Sequence, residues 1–190
     1  MTQPVPTISA TDKEQRDFVI NCWNNQKDIV TDVLAKRPDA VHWREPKSGN
    51  TGFSYAVISG LMAYDVAQIL LQCKADVNVR NKEGETPLIY AAGSASETYV
   101  DLLLANGADV TVRNNEGKTA REVAEDKGNS WIVKMFDKHA ARQAAEIAAV
   151  EQAQQAAAKK EMDEDISKLQ TGSVKVVAVR KPLRLVPKNK

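Results

Sequence analysis

The chain has 190 residues, enough for one domain of ordinary size plus extensions but too few for two comfortable cores. Its residues are 43% hydrophobic and 27% charged, which excludes a wholly disordered protein. The net charge is only +1, but it is unevenly distributed: residues 1–136 hold 15 basic and 18 acidic side chains, residues 137–170 hold 5 and 7, and residues 171–190 hold 6 and none.

Membrane and secreted classes are also disfavoured. No stretch approaches the roughly 20 apolar residues needed to cross a bilayer. Residues 1–11 lack the basic start and apolar run of a secretory signal. Cys22 and Cys73 are the only cysteines, too few for a disulfide framework. We therefore expect a cytoplasmic protein, or a nuclear one.

Residues 1–14 are predicted to be a flexible N-terminal segment, and the first helical runs follow it. Phe18–Trp23 and Asp28–Leu34 have the length and apolar spacing of a pair of helices. Ala40–Arg44 aligns with a later segment, Ala75–Arg80, only with a gap and a longer turn. These runs predict a degenerate first copy of the repeat that follows.

A 33-residue repeat occupies the middle of the chain. When Asn81–Arg113 is placed beneath Ser48–Arg80, Leu102–Leu104 falls under Ile69–Leu71. A further copy begins at Asn114. A unit of this length cannot bury its apolar face alone, so the period predicts a stack of similar units.

The middle copy carries the local signals of a helix start. Thr86 is a suitable N-cap because its hydroxyl can accept from the free N–H groups of the first turn. Pro87 fits the first helical position, where no N–H donor is needed. Leu88, Ala91 and Ala92 then recur at i, i+3 and i+4, which predicts one narrow apolar face.

These motifs resemble the ankyrin repeat. Gly84–Leu88 stands for its Gly-x-Thr-Pro-Leu signature, and Gly107–Val110 for the turn after its second helix. The flanking copies match less well, because the earlier one reads Phe53–Tyr55 and the later one Thr119–Arg121 at the Thr-Pro-Leu position. The resemblance implies an all-α solenoid of about four helix-turn-helix units over residues 15–139, with hairpin fingers between units and degenerate outer caps.

Residues 140–170 predict a long Ala-rich helix. Neither glycine nor proline occurs between Gly128 and Gly172, and residues 137–170 contain ten alanines. A heptad begins at Ile147 and Val150, but polar residues then interrupt the seam, which argues against a stable coiled coil. The helix is either solvated or docked on a partner, and its best docking face consists of Met162, Ile166 and Leu169.

Residues 171–190 predict a basic extended tail. Its β-branched residues favour a short strand up to Pro182, without a partner strand in this chain. The tail is either disordered and solubilising, or a linear motif that becomes ordered on a partner. Its candidate contact residues are Lys175, Arg180, Lys181, Arg184, Lys188 and Lys190.

The sequence holds no recognisable catalytic chemistry. Cys22, Cys73, His42 and His139 are too far apart in sequence for the paired ligands typical of zinc sites. No phosphate-binding glycine motif is present, and nothing local activates a nucleophile. We expect no catalytic residue, no cofactor and no metal.

The ankyrin resemblance implies two partner surfaces, the fingers and the concave face of the first helices. Arg44, Arg80 and Arg113 occur once per unit and are predicted to form a ladder that clamps acidic groups, unless the position is merely solvated. Trp43 is predicted to anchor a partner, or else to cover the exposed end of the N-terminal cap. Further candidates are Lys82, Glu83, Glu85, Asn115 and Glu116 in the fingers and, in the concave face, Leu61 aligned with Ser94 and Lys127.

These features together predict a non-catalytic protein-interaction module. The repeats would bind a partner protein, and the helix and tail would supply a second contact, as in a subunit or adaptor of a larger assembly. Tethering raises the effective concentration of the second contact, so each can be weak. The alternative is a nucleic-acid-binding protein that acts through its tail. Six charges without an aromatic residue would give that protein only weak, sequence-independent binding.

Overall fold

The computed structural model describes residues 12–170, with side chains from residue 13 to residue 167. The described chain divides into two compact parts, and the boundary between them lies after Ala140. The α-helices are α1 (Asp12–Trp23), α2 (Lys27–Lys36), α3 (Gly52–Ile58), α4 (Tyr64–Gln72), α5 (Pro87–Gly93), α6 (Glu97–Ala105), α7 (Ala120–Asp126) and α8 (Ser130–Gln170). Two short 3₁₀ helices span Pro38–His42 and Gly60–Ala63.

The first part, up to Ala140, is a row of repeat units, each built on a pair of helices. Helix α1 packs on α2, α3 on α4, and α5 on α6, while the first helices α1, α3, α5 and α7 contact one another in sequence order. An ion pair of 3.0 Å between Arg121 and Asp137 joins α7 to the start of α8. The predicted all-α stack of helix pairs is therefore confirmed for the described residues up to Ala140.

A threonine caps three of the four first helices. Thr51 accepts from the backbone N–H of Ser54, and Thr86 does the same for Ile89. Thr119 forms a full capping box with Glu122. The sequence alignment placed Phe53–Tyr55 where Thr-Pro-Leu belongs, and that alignment is wrong. Thr51 is the true counterpart of Thr86, 35 residues earlier.

An inserted turn explains the shifted alignment. The 3₁₀ helix Gly60–Ala63 connects α3 to α4, whereas only Ala95 and Ser96 separate the C-cap residue Ser94 from α6. The second unit thus carries two extra residues between its helices. The period is 35 residues between the starts of α3 and α5, but it returns to 33 between the starts of α4 and α6.

The core follows the 33-residue period of the second helices. One buried column consists of Val66, Tyr99 and Ile132, and another of Leu70, Leu103 and Phe136. Tyr99 also links neighbouring units, because its hydroxyl lies 3.0 Å from the carbonyl oxygens of both Ala56 and Gly60. Burial raises the pKa of this phenol well above its usual range.

A charged residue covers the outer end of the last repeat unit. Arg121 occupies the place that Phe53 and Leu88 hold in earlier units, two positions after the capping threonine. Its guanidinium pairs with Asp137 and Glu125 in place of a further apolar layer. A polar outer face is what a terminal repeat requires for solubility.

Helix α8 runs without a break through the boundary predicted near residue 139. Its first turns carry Ile132 and Phe136 into the core. Every described side chain from residue 141 to residue 167 is exposed. Among the described residues, no helix combines the length and apolarity that crossing a membrane requires.

Candidate functional site

Three hairpin turns form the fingers between successive repeat units. Finger 1 spans residues 44–51 and is closed by an antiparallel bridge between Arg44 and Thr51. Finger 2 spans residues 79–85, where the N–H of Asn81 donates to the carbonyl of Glu85. Finger 3 spans residues 112–118 and is closed in the same way by Asn114 and Lys118.

Arginines hold the fingers together from within. The Nη1 of Arg44 donates to the carbonyl of Gly49 at 3.1 Å and to that of Arg80 in the next finger at 2.7 Å. Arg80 repeats the pattern, with Nε donating to Gly84 at 3.2 Å and Nη2 to Arg113 at 2.9 Å. Each guanidinium therefore bonds one backbone carbonyl in its own finger and one in the next.

Arg113 ends this ladder. It donates to the carbonyl of Gly117 and, with no further finger beyond it among the described residues, to the carboxylate of Glu122 at 2.9 Å. The N–H and hydroxyl of Thr119, and then Arg113, lower the pKa of the Glu122 carboxyl. The ladder thus organises the fingers, and a role for its arginines in clamping a partner's acidic groups stays a prediction.

Finger 2 and finger 3 also touch through their tips. Asn115 donates from its side chain to the carbonyl of Lys82 at 2.9 Å and from its backbone to Glu83 at 3.0 Å. Gly84 lies at the closest approach, with φ of +75°, where a Cβ would sit 2.9 Å from the backbone nitrogen of Asn115. Only glycine fits both the backbone conformation and this spacing.

The carboxylates of the fingers make the surface locally acidic. Glu85 is half-buried, and burial, followed by the neighbouring carboxylates of Glu83 and Glu116, raises its pKa. Glu116 pairs with Lys118 at 3.3 Å, and that lysine also pairs with Asp126 at 2.8 Å. Among the residues that the structure describes, Glu85 itself forms no ion pair.

Trp43 packs into the first unit. Its ring meets Phe18 edge-on at 5.7 Å between centroids, and the Arg37 guanidinium lies 4.9 Å from the ring centroid. The indole N–H donates to Asp39 at 3.1 Å. Trp43 is thus half-buried, and its predicted role as a partner anchor stays a prediction.

A partly exposed apolar strip follows the first helices. We call it the first-helix strip, and it consists of Ile20, Trp23, Tyr55, Ile58 and Tyr90. Tyr55 and Tyr90 are equivalent, because the backbone N–H of each donates to the carbonyl of its capping threonine, Thr51 or Thr86. The rings of Trp23 and Tyr55 lie 5.5 Å apart, and Ile20 and Trp23 remain 46% and 42% exposed.

Sequence reasoning missed this strip because the inserted turn hides the 35-residue spacing of the two tyrosines. It also placed Leu61 beside Ser94, and that alignment is wrong. Ser59 is the counterpart of Ser94, because both are the C-cap residues of their first helices, and Lys127 is the C-cap of the last one. Leu61 instead lies in the inserted turn and is 66% exposed.

Comparison with known families settles the nature of these units. The family model described as ankyrin repeats (3 copies) matches residues 18–114 and 53–147. The chain belongs to the ankyrin repeat family. No curated protein sequence matches it significantly.

The ankyrin fold is also found among solved structures. A chain in the crystal structure of the yeast ribosomal protein Rps3 in complex with its chaperone Yar1 superposes with a TM-score of 0.63. The match has 23% sequence identity and covers 68% of this chain and 95% of that chain. At this identity the likeness shows the fold alone.

Within residues 12–170, no group of three or more His, Cys, Asp or Glu side chains is placed to hold a metal ion. Cys22 is buried, which raises the pKa of its thiol well above the usual range, and Cys73 is exposed; both are free. The six predicted tail contacts lie outside the described residues.

Proposed function

We propose that this ankyrin repeat protein is a non-catalytic module that binds a partner protein through the first-helix strip and the adjoining fingers. The observation that carries the proposal is the strip itself. The rings of Trp23 and Tyr55 meet at a tilt of 60°, with Trp23 42% exposed and Tyr55 half-buried, and Trp and Tyr are enriched at the centres of protein interfaces. The yeast structure supports a role in protein binding in general, because a similar fold occurs there in the complex of Rps3 with its chaperone Yar1.

The second contact proposed for the chain comes from α8 and the tail. Met162 and Ile166 lie one helical turn apart and remain 57% and 45% exposed. They form the described part of the predicted docking face. A chain with two such contacts would serve as an adaptor or subunit of a larger assembly, because tethering lets two weak contacts act together. Its two free cysteines favour action in the cytoplasm or nucleus.

A capture experiment tests this function. The tagged full chain is used to isolate partners from the cells it comes from, beside a Tyr55→Ala/Tyr90→Ala variant and a Trp131→Ala control. Trp131 is 59% exposed on α8 and lies outside the strip, so the control removes an aromatic ring without touching the proposed surface.

A partner that is retained by the parent chain and the control but lost with the double variant supports the proposal. Equal recovery with all three proteins would show that the strip is not the binding surface. Thermal unfolding of each variant, followed in parallel, establishes that any loss does not arise from an unfolded stack.

A further inference from the structure

We propose that the first-helix strip takes an extended partner segment in which apolar residues lie between two basic residues. This inference rests on the proposed function and names the class of partner. It follows from the way two surface hollows meet. Ile58 lines both of them, one together with Glu85 and Tyr90, the other together with Leu61 and Glu97.

The centre of this surface is apolar. Tyr90 and Ile58 are half-buried, so each presents part of its side chain to solvent while its base is fixed by packing. The inserted turn extends the apolar area with Leu61 and Met62, which are 66% and 79% exposed. Because packing already fixes the bases of Tyr90 and Ile58, these side chains lose little conformational entropy when a partner binds.

Each edge of the surface carries a carboxylate. Glu85 lies at the finger side and Glu97 at the turn side, and among the described residues neither forms an ion pair. The cations of the neighbouring fingers are engaged elsewhere: Arg80 bonds backbone carbonyls, and Lys82 donates to the carbonyl of Pro46. Burial, followed by the nearby carboxylates of Glu83 and Glu116, raises the pKa of Glu85, and these two carboxylates add negative charge at the finger edge.

The spacing of the two carboxylates sets the spacing of the partner's cations. Helix α5 and its caps, from Thr86 to Ser94, lie between Glu85 and Glu97 in sequence and are about 12 Å long at ~1.5 Å per residue, and we take this length as the approximate span between the edges. An extended chain covers that distance in about four residues at ~3.3 Å each. The surface therefore fits a segment with basic residues about four positions apart and apolar residues between them.

Selection from a random peptide library tests the class of partner without knowing its identity. The full chain is immobilised, and displayed peptides of about 12 residues are selected on it after removal of those that also bind the Tyr90→Ala variant. Retained peptides should combine apolar residues with Lys or Arg at the stated spacing. Enrichment of acidic peptides, of purely polar ones, or of none would overturn the proposal.

Two variants then test the edges. Replacing both carboxylates, as Glu85→Gln/Glu97→Gln, should weaken a selected peptide about tenfold at low salt and remove most of its salt dependence. Asp101→Asn is the matched control, because Asp101 is an exposed carboxylate one turn from Glu97 on α6 but lines neither hollow. An equal effect of the control, or no effect of the double variant, would refute the edge assignment.

These results can be told apart from failure of the proposed function. If the Tyr55→Ala/Tyr90→Ala variant loses its cellular partner while the library yields acidic or no peptides, the strip is a binding surface but not one for basic segments. If selection succeeds while capture does not depend on the strip, the peptide chemistry holds and the proposed partner surface fails.

Discussion

Leu103→Ala tests whether stacking of the units creates the core. Leu103 is fully buried in α6, in the column that Leu70 and Phe136 continue in the neighbouring units. Truncation leaves a cavity that the two flanking layers would both have to fill. Substitutions of this kind cost about 2–5 kcal/mol, and contact on both sides places this one at about 3–4 kcal/mol. That is a large part of the ~5–15 kcal/mol that holds a typical domain folded.

The assay follows urea unfolding by tryptophan fluorescence, because Trp43 is packed on Phe18 in the first unit. Circular dichroism is less suitable, since the exposed part of α8 contributes helical signal that does not depend on the core. Leu61→Ala is the matched control and should change the free energy of unfolding by less than about 0.5 kcal/mol, because Leu61 is 66% exposed. Similar losses for both variants, or the larger loss for Leu61→Ala, would refute the assigned core.

Three further predictions follow from named contacts. Trp43→Ala should lower the free energy of unfolding by about 2 kcal/mol, because it removes a half-buried ring from Phe18; unchanged urea unfolding would return Trp43 to the role of a free anchor. The pKa of the Glu85 carboxyl lies above its ordinary value of about 4.3, so the fold loses stability as the pH rises through it. The stability of Glu85→Gln relative to the parent chain should therefore increase between about pH 4 and about pH 7, and a flat difference would contradict the raised pKa. Truncation after Gln170 should leave the melting of the repeats unchanged and abolish any salt-sensitive retention on nucleic acid; retention that survives truncation would remove the tail from that activity.

The fold was predictable from the sequence because the second helices keep a strict spacing. Val66, Tyr99 and Ile132 recur every 33 residues, so their apolar pattern can be recognised in the sequence alone. Thr86 and Pro87 predict the start of a helix, because capping and the fixed φ of proline involve only the backbone of the first helical turn. Local signals of this kind need no knowledge of distant residues.

The site was less predictable because it depends on contacts between units. Two inserted residues shift Thr51 and Tyr55 out of register with Thr86 and Tyr90, which concealed the strip. The ladder arginines look free in the sequence, since nothing in it shows that Arg80 reaches the carbonyl of Arg113. Backbone carbonyls are present at every residue, so a pattern of side chains cannot reveal which of them is an acceptor.

The first-helix strip is proposed to contact a partner protein. The most direct test of this proposal is photo-crosslinking in cells, with a photoreactive phenylalanine analogue placed at Tyr90 in one chain and at Asp101 in another. Tyr90 belongs to the strip, whereas Asp101 faces solvent on α6. We expect a discrete crosslinked protein from the Tyr90 position and none from Asp101. Crosslinks from Asp101 alone, or none from Tyr90, would contradict the claim.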